Sequence, residues 1–461
     1  MVEQRNEQTD VIVIGGGISG LTAACYLARE GVGVTLLEKA PNLGGRASSQ
    51  NLDGFTFNRG IHALYTGGAT SQVLDELGIA YSFGIPDKLF MLERGELRLF
   101  PSGLFQLFRT DLFDAGDKLG LVRFFAALAM TKPRSVAHMS VQEWLERNVR
   151  RPHLRRMIAA GARTFVYSAA LDIVSAEVFV DKMRRSNKHP IHYIEGGWQY
   201  LVEALCQKAG QQGGVRVMRA AHAEAIEHES GRVRSVRLRG GGLLGASAVI
   251  VATTPREAAK LVDGGAYPPL RRAVDRLLPG RVAALDVALG RLPSAQHPVV
   301  QDLEGSRFMT AQSVYARVAP GEGAMISAFK QLDPRRPTDP REDERELEDL
   351  LDTAQPGWRS EEVLRRQYLP RIEAVSALPT AAEGGFAGRP GTRVPGISNL
   401  YLAGDWVGPE GFLADASTAS ARKAARLVLE DGPLSRQAPL PLRQYSVHGD
   451  APVPGPGNAV A

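Results

Sequence analysis

Short apolar runs and glycine turns alternate with helical periodicity at the start of the chain. Val11–Ile14 is a β-branched apolar run, which predicts a buried strand. Leu21–Arg29 has helical periodicity and is followed by Gly31, which predicts that a helix ends there. The next run, GVTLLEKA, predicts a second strand that ends at Glu38. This order predicts a βαβ unit.

Helical periodicity returns in the middle of the chain. The block 114–190 is predicted to be helical, and its segment SVQEWLERNVRRPHLRRMIAAGARTFVY is broken only at Pro152. The segment TDPREDERELEDLLDTA predicts a surface helix with Pro340 in its first turn. Its charges are those of a solvated face.

The end of the chain combines a strand pattern, a helix pattern and a segment without periodicity. Leu400–Leu402 predicts a short strand. A helix is predicted to start at Ala414 or Asp415 and to end at Leu429. Residues 431–461 are rich in proline and lack periodicity, which predicts a flexible tail.

Two segments match the spacing G-x-G-x-x-G, but only one has the context of a dinucleotide loop. Gly15, Gly17 and Gly20 lie between the first strand and the first helix, where helix N–H groups attract a pyrophosphate. Glu38 ends the second strand, where an acceptor for ribose hydroxyls belongs. The second match, 240–245, lies between two strand patterns and therefore predicts a β-hairpin.

Two further segments carry residues that suit a bound dinucleotide. Gly44 and Gly45 allow close approach of a ligand, and Arg46 offers a forked cation to phosphate. Gly404 and Asp405 end the short strand and place a carboxylate where a polyol chain could be held. The helix that follows begins with small residues, which permit contact with a flat ligand, and its N-terminus would stabilise an anionic reduced flavin.

These motifs together resemble the flavoprotein superfamily of phytoene desaturases, protoporphyrinogen oxidases and monoamine oxidases. The resemblance covers about residues 10–430 and includes EGGWQYLVEALCQKA, GVRVMRAAHAEAIEHESGRVRSVRL, VIVATTP and AVSALP. It implies an α/β (α+β) fold, with a Rossmann-type FAD-binding domain assembled from discontinuous segments and an interleaved substrate domain of mixed sheet and helices. The last helix departs from the family pattern, because Ala and Ser replace the usual G-A-x-x-S-G spacing.

The resemblance also implies domain boundaries and a set of FAD-binding residues. The FAD domain would comprise 9–70, 190–265 and 392–430, and the substrate domain 71–189 and 266–391. The residues expected to bind FAD are Gly15, Gly17, Ile18, Ser19, Gly20, Glu38, Lys39, Gly44, Gly45, Arg46, Gly60, Ile61, His62, Ala221, Gly404, Asp405, Phe412, Leu413 and Ala416.

Two residues are candidates for catalysis. His62 lies where the family's chain runs beside the flavin and is either a proton acceptor, a wall residue or a structural histidine. Trp406 follows the Gly-Asp turn and either contacts the flavin ring or packs in the core. Metal-ligand spacing of His and Cys is absent, so no metal is expected. Flavin chemistry needs no metal, because the cofactor accepts the electrons.

The composition of the chain limits the cellular compartment and the binding partners that are expected. The chain has 461 residues, a net charge of +5 and two cysteines, and it begins with a polar segment without an apolar signal region. A reducing cytoplasm is therefore expected, and the lack of a basic, aromatic-interleaved run argues against nucleic acid. Six of the 16 phenylalanines lie in residues 100–125. This segment either belongs to the core of the substrate domain or forms an exposed apolar surface, which would be a tunnel lip or a peripheral membrane patch. The oligomeric state is left open.

Three reactions fit this sequence. The first is FAD-dependent removal of two electrons from a largely apolar organic substrate, which forms C=C. The second is oxidation of an amine or a natural-product intermediate to C=N or an aromatised ring, with release of peroxide. The third is a redox-neutral isomerisation that uses reduced FAD.

Overall fold

The computed structural model describes residues 7–101, 103–110 and 112–432. These residues form strands β1 (Glu7–Ile14), β2 (Val34–Leu37), β3 (Ser49–Leu52), β4 (Phe55–Asn58), β5 (Leu64–Tyr65), β6 (Phe83–Gly84), β7 (Phe90–Glu93), β8 (Glu96–Leu99), β9 (Ile191–Ile194), β10 (Val215–Met218), β11 (Ala223–Glu229), β12 (Arg232–Leu238), β13 (Leu243–Val251), β14 (Gly280–Leu289), β15 (Val299–Asp302), β16 (Arg307–Ala311), β17 (Ala324–Gln331), β18 (Val363–Val375) and β19 (Leu400–Leu402). The α-helices are α1 (Ile18–Arg29), α2 (Ala69–Glu76), α3 (Leu104–Arg109), α4 (Ala115–Met130), α5 (Val141–Asn148), α6 (Pro152–Val166), α7 (Ala176–Ser186), α8 (Gln199–Gln211), α9 (Pro255–Leu261), α10 (Pro268–Asp275), α11 (Pro340–Ala354) and α12 (Ala414–Asp431).

The first large sheet has the strand order β10-β2-β1-β13-β12-β11, and β19 also pairs with β13. The pairs among β10, β2, β1, β13 and β19 are parallel, whereas β12 is antiparallel to both β11 and β13. Helices α1, α8 and α12 cover one face through a single apolar cluster. The predicted βαβ unit and the α/β fold class are confirmed. The second glycine motif lies at the β12–β13 turn, so the predicted hairpin is confirmed as well.

The parallel strands come from three separate stretches of the chain. Strands β1 and β2 belong to the amino-terminal stretch, β10 and β13 to the middle, and β19 to the carboxyl-terminal stretch. This arrangement is what a nucleotide-binding domain built from discontinuous segments requires. The domain boundaries given above stay a prediction.

The second large sheet has the strand order β18-β14-β17-β16-β15-β7-β8 and is antiparallel except for the β15–β7 pair. Helix α11 packs on one face, with Leu347, Leu350 and Leu351 buried. The other face of this sheet packs against helices α4 to α7, and their side chains form a second apolar cluster. The predicted helical block is thus confirmed, and α6 begins at Pro152 as expected.

Two helix boundaries differ from their predictions. Helix α1 begins at Ile18 and not at Leu21, because the glycine turn itself enters the first helical turn. Helix α12 continues to Asp431, whose carboxylate accepts hydrogen bonds from Arg393 Nη2 (2.6 Å) and Tyr401 Oη (2.9 Å). Residues 433–461, which make up nearly all of the predicted tail, lie outside the described residues.

The phenylalanine-rich segment has both a buried and an exposed face. Phe113 and Phe124 are buried in the helical cluster. Helix α4 turns a second apolar set outward, which we call the apolar face of α4: Leu119 (51% exposed), Val122 (52%), Phe125 (39%) and Met130 (83%). None of the helices in the described part of the chain combines the length and apolar character that crossing a bilayer requires.

Helix α1 packs against β1 because Gly20 has no side chain. A Cβ atom at Gly20 would overlap the carbonyl oxygen of Gly15 and lie 3.3 Å from Val13. The third glycine of the motif therefore serves the packing of helix on strand, while the first two keep the turn open.

We expect Gly20→Ala to lower the free energy of unfolding by about 1–3 kcal/mol, because the new methyl group forces helix and turn apart. The matched control is Gly161→Ala within α6, where a Cβ atom meets nothing within 4 Å. The control should be more stable than the wild type by about 0.5–1 kcal/mol. Denaturant unfolding measures both, and equal stabilities of the two variants would contradict the packing role of Gly20.

Candidate active site

One crevice connects the carboxyl ends of the parallel strands with the substrate-side helices and sheet. It has a volume of about 780 Å³, which is in the upper part of the range for small-molecule sites. Ligands bind at this edge of open α/β sheets. Most of the residues expected to bind FAD line the crevice: Gly15, Gly17, Ile18, Ser19, Glu38, Lys39, Gly44, Gly45, Arg46, Gly60, Ile61, His62, Ala221, Gly404, Asp405, Phe412 and Leu413.

The other expected residues lie behind the crevice wall. Gly20 packs against Gly15, as described above, and Ala416 is fully buried in α12. Trp406 is also fully buried, and its Nε1 donates a hydrogen bond to the carbonyl oxygen of Thr253 (2.9 Å). This geometry favours the core-packing alternative for Trp406 over contact with the flavin ring.

The nucleotide end of the crevice is built by the first βαβ unit. Gly15 has φ = +113°, a conformation that needs glycine. Helix α1 has no side-chain cap at its N-terminus, so its first amides remain available to an anion. The Glu38 carboxylate accepts hydrogen bonds from Gly16 N (2.7 Å) and Ala40 N (2.8 Å), which fix its position at the end of β2. These features fit the pyrophosphate and ribose of a dinucleotide.

An ion pair between residues far apart in the sequence forms part of the crevice wall. Arg46 Nη2 lies 2.6 Å from Asp405 Oδ1 and Arg46 Nη1 lies 2.9 Å from Asp405 Oδ2. Ser376 N also donates to Asp405 (2.8 Å). Burial alone would raise the pKa of Asp405, but the Arg46 charge and these hydrogen bonds hold it below its usual value. Both terminal nitrogens of Arg46 therefore bind a carboxylate, whereas the sequence predicted a phosphate as their partner.

His62 forms part of the crevice wall. Its Nδ1 lies 2.9 Å from the carbonyl oxygen of Gly60 and its Nε2 lies 3.1 Å from that of Arg46. Its ring contacts Trp198, with centroids 5.2 Å apart. Burial lowers the pKa of His62, so the neutral ring is favoured. Because both ring nitrogens face backbone carbonyls, this geometry favours a structural histidine in the crevice wall over a proton acceptor.

Lys182 is a residue of the crevice that the sequence argument missed. It is 6% exposed, lines the crevice from α7, and lies with its Nζ 3.5 Å from the ring centroid of Tyr65. The signal that could have found it is its spacing, because it follows the buried Val178 and Phe179 by four and three positions on the same helix face. A lysine on the apolar face of a helix is unusual enough to single out.

Asp415 also faces the crevice, from the first turn of α12. Its Oδ1 accepts a hydrogen bond from Thr70 N (2.9 Å) at the start of α2. Burial raises the pKa of this carboxyl group. The first turn of α12 therefore already contains a carboxyl group, that of Asp415. This is the helix N-terminus that the sequence predicted to stabilise an anionic flavin.

Comparison with known proteins places the chain in a family. Residues 18–429 match the family model described as flavin containing amine oxidoreductase. The chain belongs to this family. The resemblance seen in the sequence, the fold class and FAD as the cofactor are confirmed with it.

Individual relatives match only part of this chain or have low sequence identity to it. A carotenoid 3,4-desaturase of Haloarcula japonica is 63% identical over 51 residues, which are 11% of this chain and 10% of that protein. A zeta-carotene-forming phytoene desaturase of Myxococcus xanthus is 28% identical over 290 residues, 55% of each protein. The chain thus spans about half, or less, of the length of these curated relatives. An oxidoreductase structure from Methanosarcina mazei shares the fold, with a TM-score of 0.72 at 18% identity over 90% of this chain and 100% of that one.

We expect Glu38→Ala to weaken FAD binding by about tenfold or more, because it removes charge-assisted hydrogen bonds to the ribose. Titration of FAD into the FAD-free protein, followed by flavin fluorescence, measures the dissociation constant. Glu30→Ala is the control, since this exposed glutamate lies at the far end of α1. Unchanged affinity in Glu38→Ala would refute the ribose role.

Proposed function

We propose that this chain is an FAD-dependent dehydrogenase that removes two electrons from a largely apolar organic substrate and so forms a C=C bond. The observation that carries the proposal is the composition of the crevice beyond the nucleotide end. Its walls there come from the second sheet, the end of α6, the segment 61–65 and the loop before α12. They include, beside charged side chains such as Lys182 and Arg371, many apolar or aromatic ones: Ile61, Leu64, Tyr65, Tyr167, Val282, Phe329, Leu369, Ile372 and Phe412.

Different residues of the crevice would bind the cofactor and keep water away from the substrate. The amides of α1 and the Glu38 carboxylate would hold the adenosine diphosphate part of FAD, and the Arg46–Asp405 pair would lie under its central part. When bound, FAD supplies the electron acceptor. The apolar wall would orient a hydrocarbon segment and exclude water from it. A conjugated product needs no metal, which agrees with chemistry supplied by the cofactor.

The names of the relatives support the same substrate class. The Haloarcula and Myxococcus proteins are named as desaturases of carotenoids. The family description also includes amine oxidation, which remains the second candidate.

We expect the flavin of the purified, FAD-loaded protein to be bleached without oxygen by polyene substrates such as phytoene, and the product to have lost two hydrogens per turnover. Absorbance spectroscopy and mass spectrometry measure these changes. Bleaching by an amine panel with peroxide release in air, but not by polyenes, would favour the amine oxidase alternative. Turnover that starts only after dithionite reduction would favour the isomerase.

We also propose that the apolar face of α4 contacts a membrane surface, from which an apolar substrate would enter. Four large apolar side chains lie on this face, and Arg123 is exposed beside them. An apolar stripe with neighbouring cations is typical of helices that lie in the interface of an anionic bilayer.

The double variant Val122→Glu and Phe125→Glu should bind vesicles of anionic phospholipid at least about tenfold more weakly than the wild type, because it places acids on the contacting face. Co-sedimentation measures the bound fraction. Leu243→Glu, on an exposed apolar residue of the β12–β13 hairpin, is the control and should bind as the wild type does. Equal binding of all three proteins would refute the contact.

A further inference from the structure

Lys182 places a buried amine in the wall of the crevice. Its Nζ lacks a hydrogen-bond partner among the described residues, although the side chain lines the crevice and is only 6% exposed. A buried ammonium that donates no hydrogen bond is costly, so such groups are rarely kept without a use. The Lys182 side chain therefore forms part of the wall of the space in which a substrate would lie.

Aromatic rings surround this amine. The Nζ atom lies 3.5 Å from the ring centroid of Tyr65, 5.4 Å from that of Phe412, 5.5 Å from that of Tyr167 and 5.9 Å from that of Phe165. Cation–π attraction offsets part of the desolvation of an ammonium but supplies no acceptor for its protons. The rings also lower the local dielectric, which strengthens any ion pair formed there.

The acids near Lys182 are already engaged. Asp415 accepts a hydrogen bond from Thr70 N, and Asp181 pairs with Arg185 Nε (2.9 Å) on α7 itself. The titratable and charged groups around the amine are thus Tyr65 from β5, Tyr167 from the end of α6, Asp181 and Arg185 from α7, and Asp415 from α12. Asp181 and Asp415 attract the charged form, yet burial outweighs them and lowers the pKa of Lys182 to about 7.

We propose that Lys182 binds a carboxylate group of an otherwise apolar substrate. This rests on the function proposed above and narrows its substrate class from hydrocarbons to apolar acids. A carboxylate provides both the acceptor and the opposite charge that the amine lacks, and ammonium–carboxylate hydrogen bonds are about twice as strong as neutral ones. A neutral carbonyl group provides only the acceptor. The carboxylate would anchor one end of the substrate while the apolar wall holds the remainder.

The first test compares acids with uncharged analogues of the same shape. Decanoate and retinoate, their methyl esters and their alcohols are titrated into the FAD-loaded protein at pH 7, and binding is followed by calorimetry. At least one acid should bind about tenfold or more tightly than its ester and its alcohol. The result that overturns the proposal is an ester or alcohol that binds as well as the acid in both series.

Two variants test whether the preference for the acid depends on the amine of Lys182. Lys182→Met keeps the length of the side chain and should abolish the preference for the acid. Lys188→Met is the matched control, because Lys188 is exposed just beyond the end of the same helix and should leave the preference intact. A preference that survives in Lys182→Met overturns the proposal.

Proton uptake gives a readout that a merely structural lysine would not move. At pH 8 the amine of the unliganded protein is mostly neutral, because its pKa is about 7. A bound carboxylate favours the ammonium, so binding should take up close to one proton. Calorimetry in two buffers of different ionisation enthalpy measures this number. No uptake, or an equal uptake in Lys182→Met, overturns the proposal.

The free energy of unfolding of Lys182→Met shows whether this variant has a folding defect in addition to a binding defect. In the unfolded chain a lysine titrates near 10.5, so between pH 7 and 10 the unfolded state binds more protons than the native state. Lys182 therefore destabilises the native protein at pH 7, and this effect fades as the pH rises towards 10. Lys182→Met should be at least as stable as the wild type at pH 7. If it is less stable, Lys182→Gln replaces it in the binding test.

The proposal and the proposed function can fail separately. Bleaching of the flavin by hydrocarbon polyenes in both wild type and Lys182→Met, without acid binding, would overturn the carboxylate site and leave the dehydrogenase function standing. Binding of acids through Lys182 without bleaching by any polyene or polyene acid would overturn the dehydrogenase function and leave the site standing.

Discussion

The bidentate ion pair between Arg46 and Asp405 joins the amino-terminal and the carboxyl-terminal segments of the described chain in the wall of the crevice. Asp405 is buried, whereas the Arg46 side chain is 40% exposed. A buried carboxylate needs hydrogen bonds as well as an opposite charge. Here Ser376 N donates to Asp405, and Arg46 also donates to the carbonyl oxygen of Ala374 (3.3 Å). The pair therefore also fixes the segment at the end of β18, which belongs to the second sheet. Losing Arg46 would remove two hydrogen bonds to the buried Asp405 carboxylate and so destabilise the native protein.

The pair lies between the nucleotide end of the crevice and the second sheet, because Arg46 also contacts Ala374 in β18. The N-terminus of α1 and Glu38 are suited to the nucleotide end, where charge and backbone amides bind a dinucleotide. The second sheet contributes Val282, Phe329 and Ile372 to the opposite wall, together with the charged Arg371 and Glu373. A cofactor that spans both parts of the crevice would bring its reactive ring to the apolar end. This division would let one crevice bind a highly charged coenzyme beside the apolar substrate proposed above.

The local features of the site could be predicted from the sequence, and the long-range ones could not. The glycine turn before α1, the acid at the end of β2 and the β12–β13 hairpin each follow from a pattern within one supersecondary unit. The partner of Arg46 did not follow, because Asp405 becomes its neighbour only after β19 joins the first sheet. The burial of Trp406 did not follow either, since adjacency to the Gly-Asp turn does not reveal which way the side chain points. Lys182 had a local signal in its helix spacing, but its aromatic neighbours come from elements as distant in the sequence as the segment around Phe412.

The central claim is that one FAD molecule is held jointly by the first and the last segments of the chain. Hydrogen–deuterium exchange of the FAD-free protein, before and after titration with FAD, tests it most directly. The account predicts that amides near Gly15–Gly20 and Gly44–Arg46 and those near Gly404–Asp415 become protected together, and that both reach saturation at one FAD per chain. Protection of the first segments with no change in the last one, or saturation at different amounts of FAD, would contradict it.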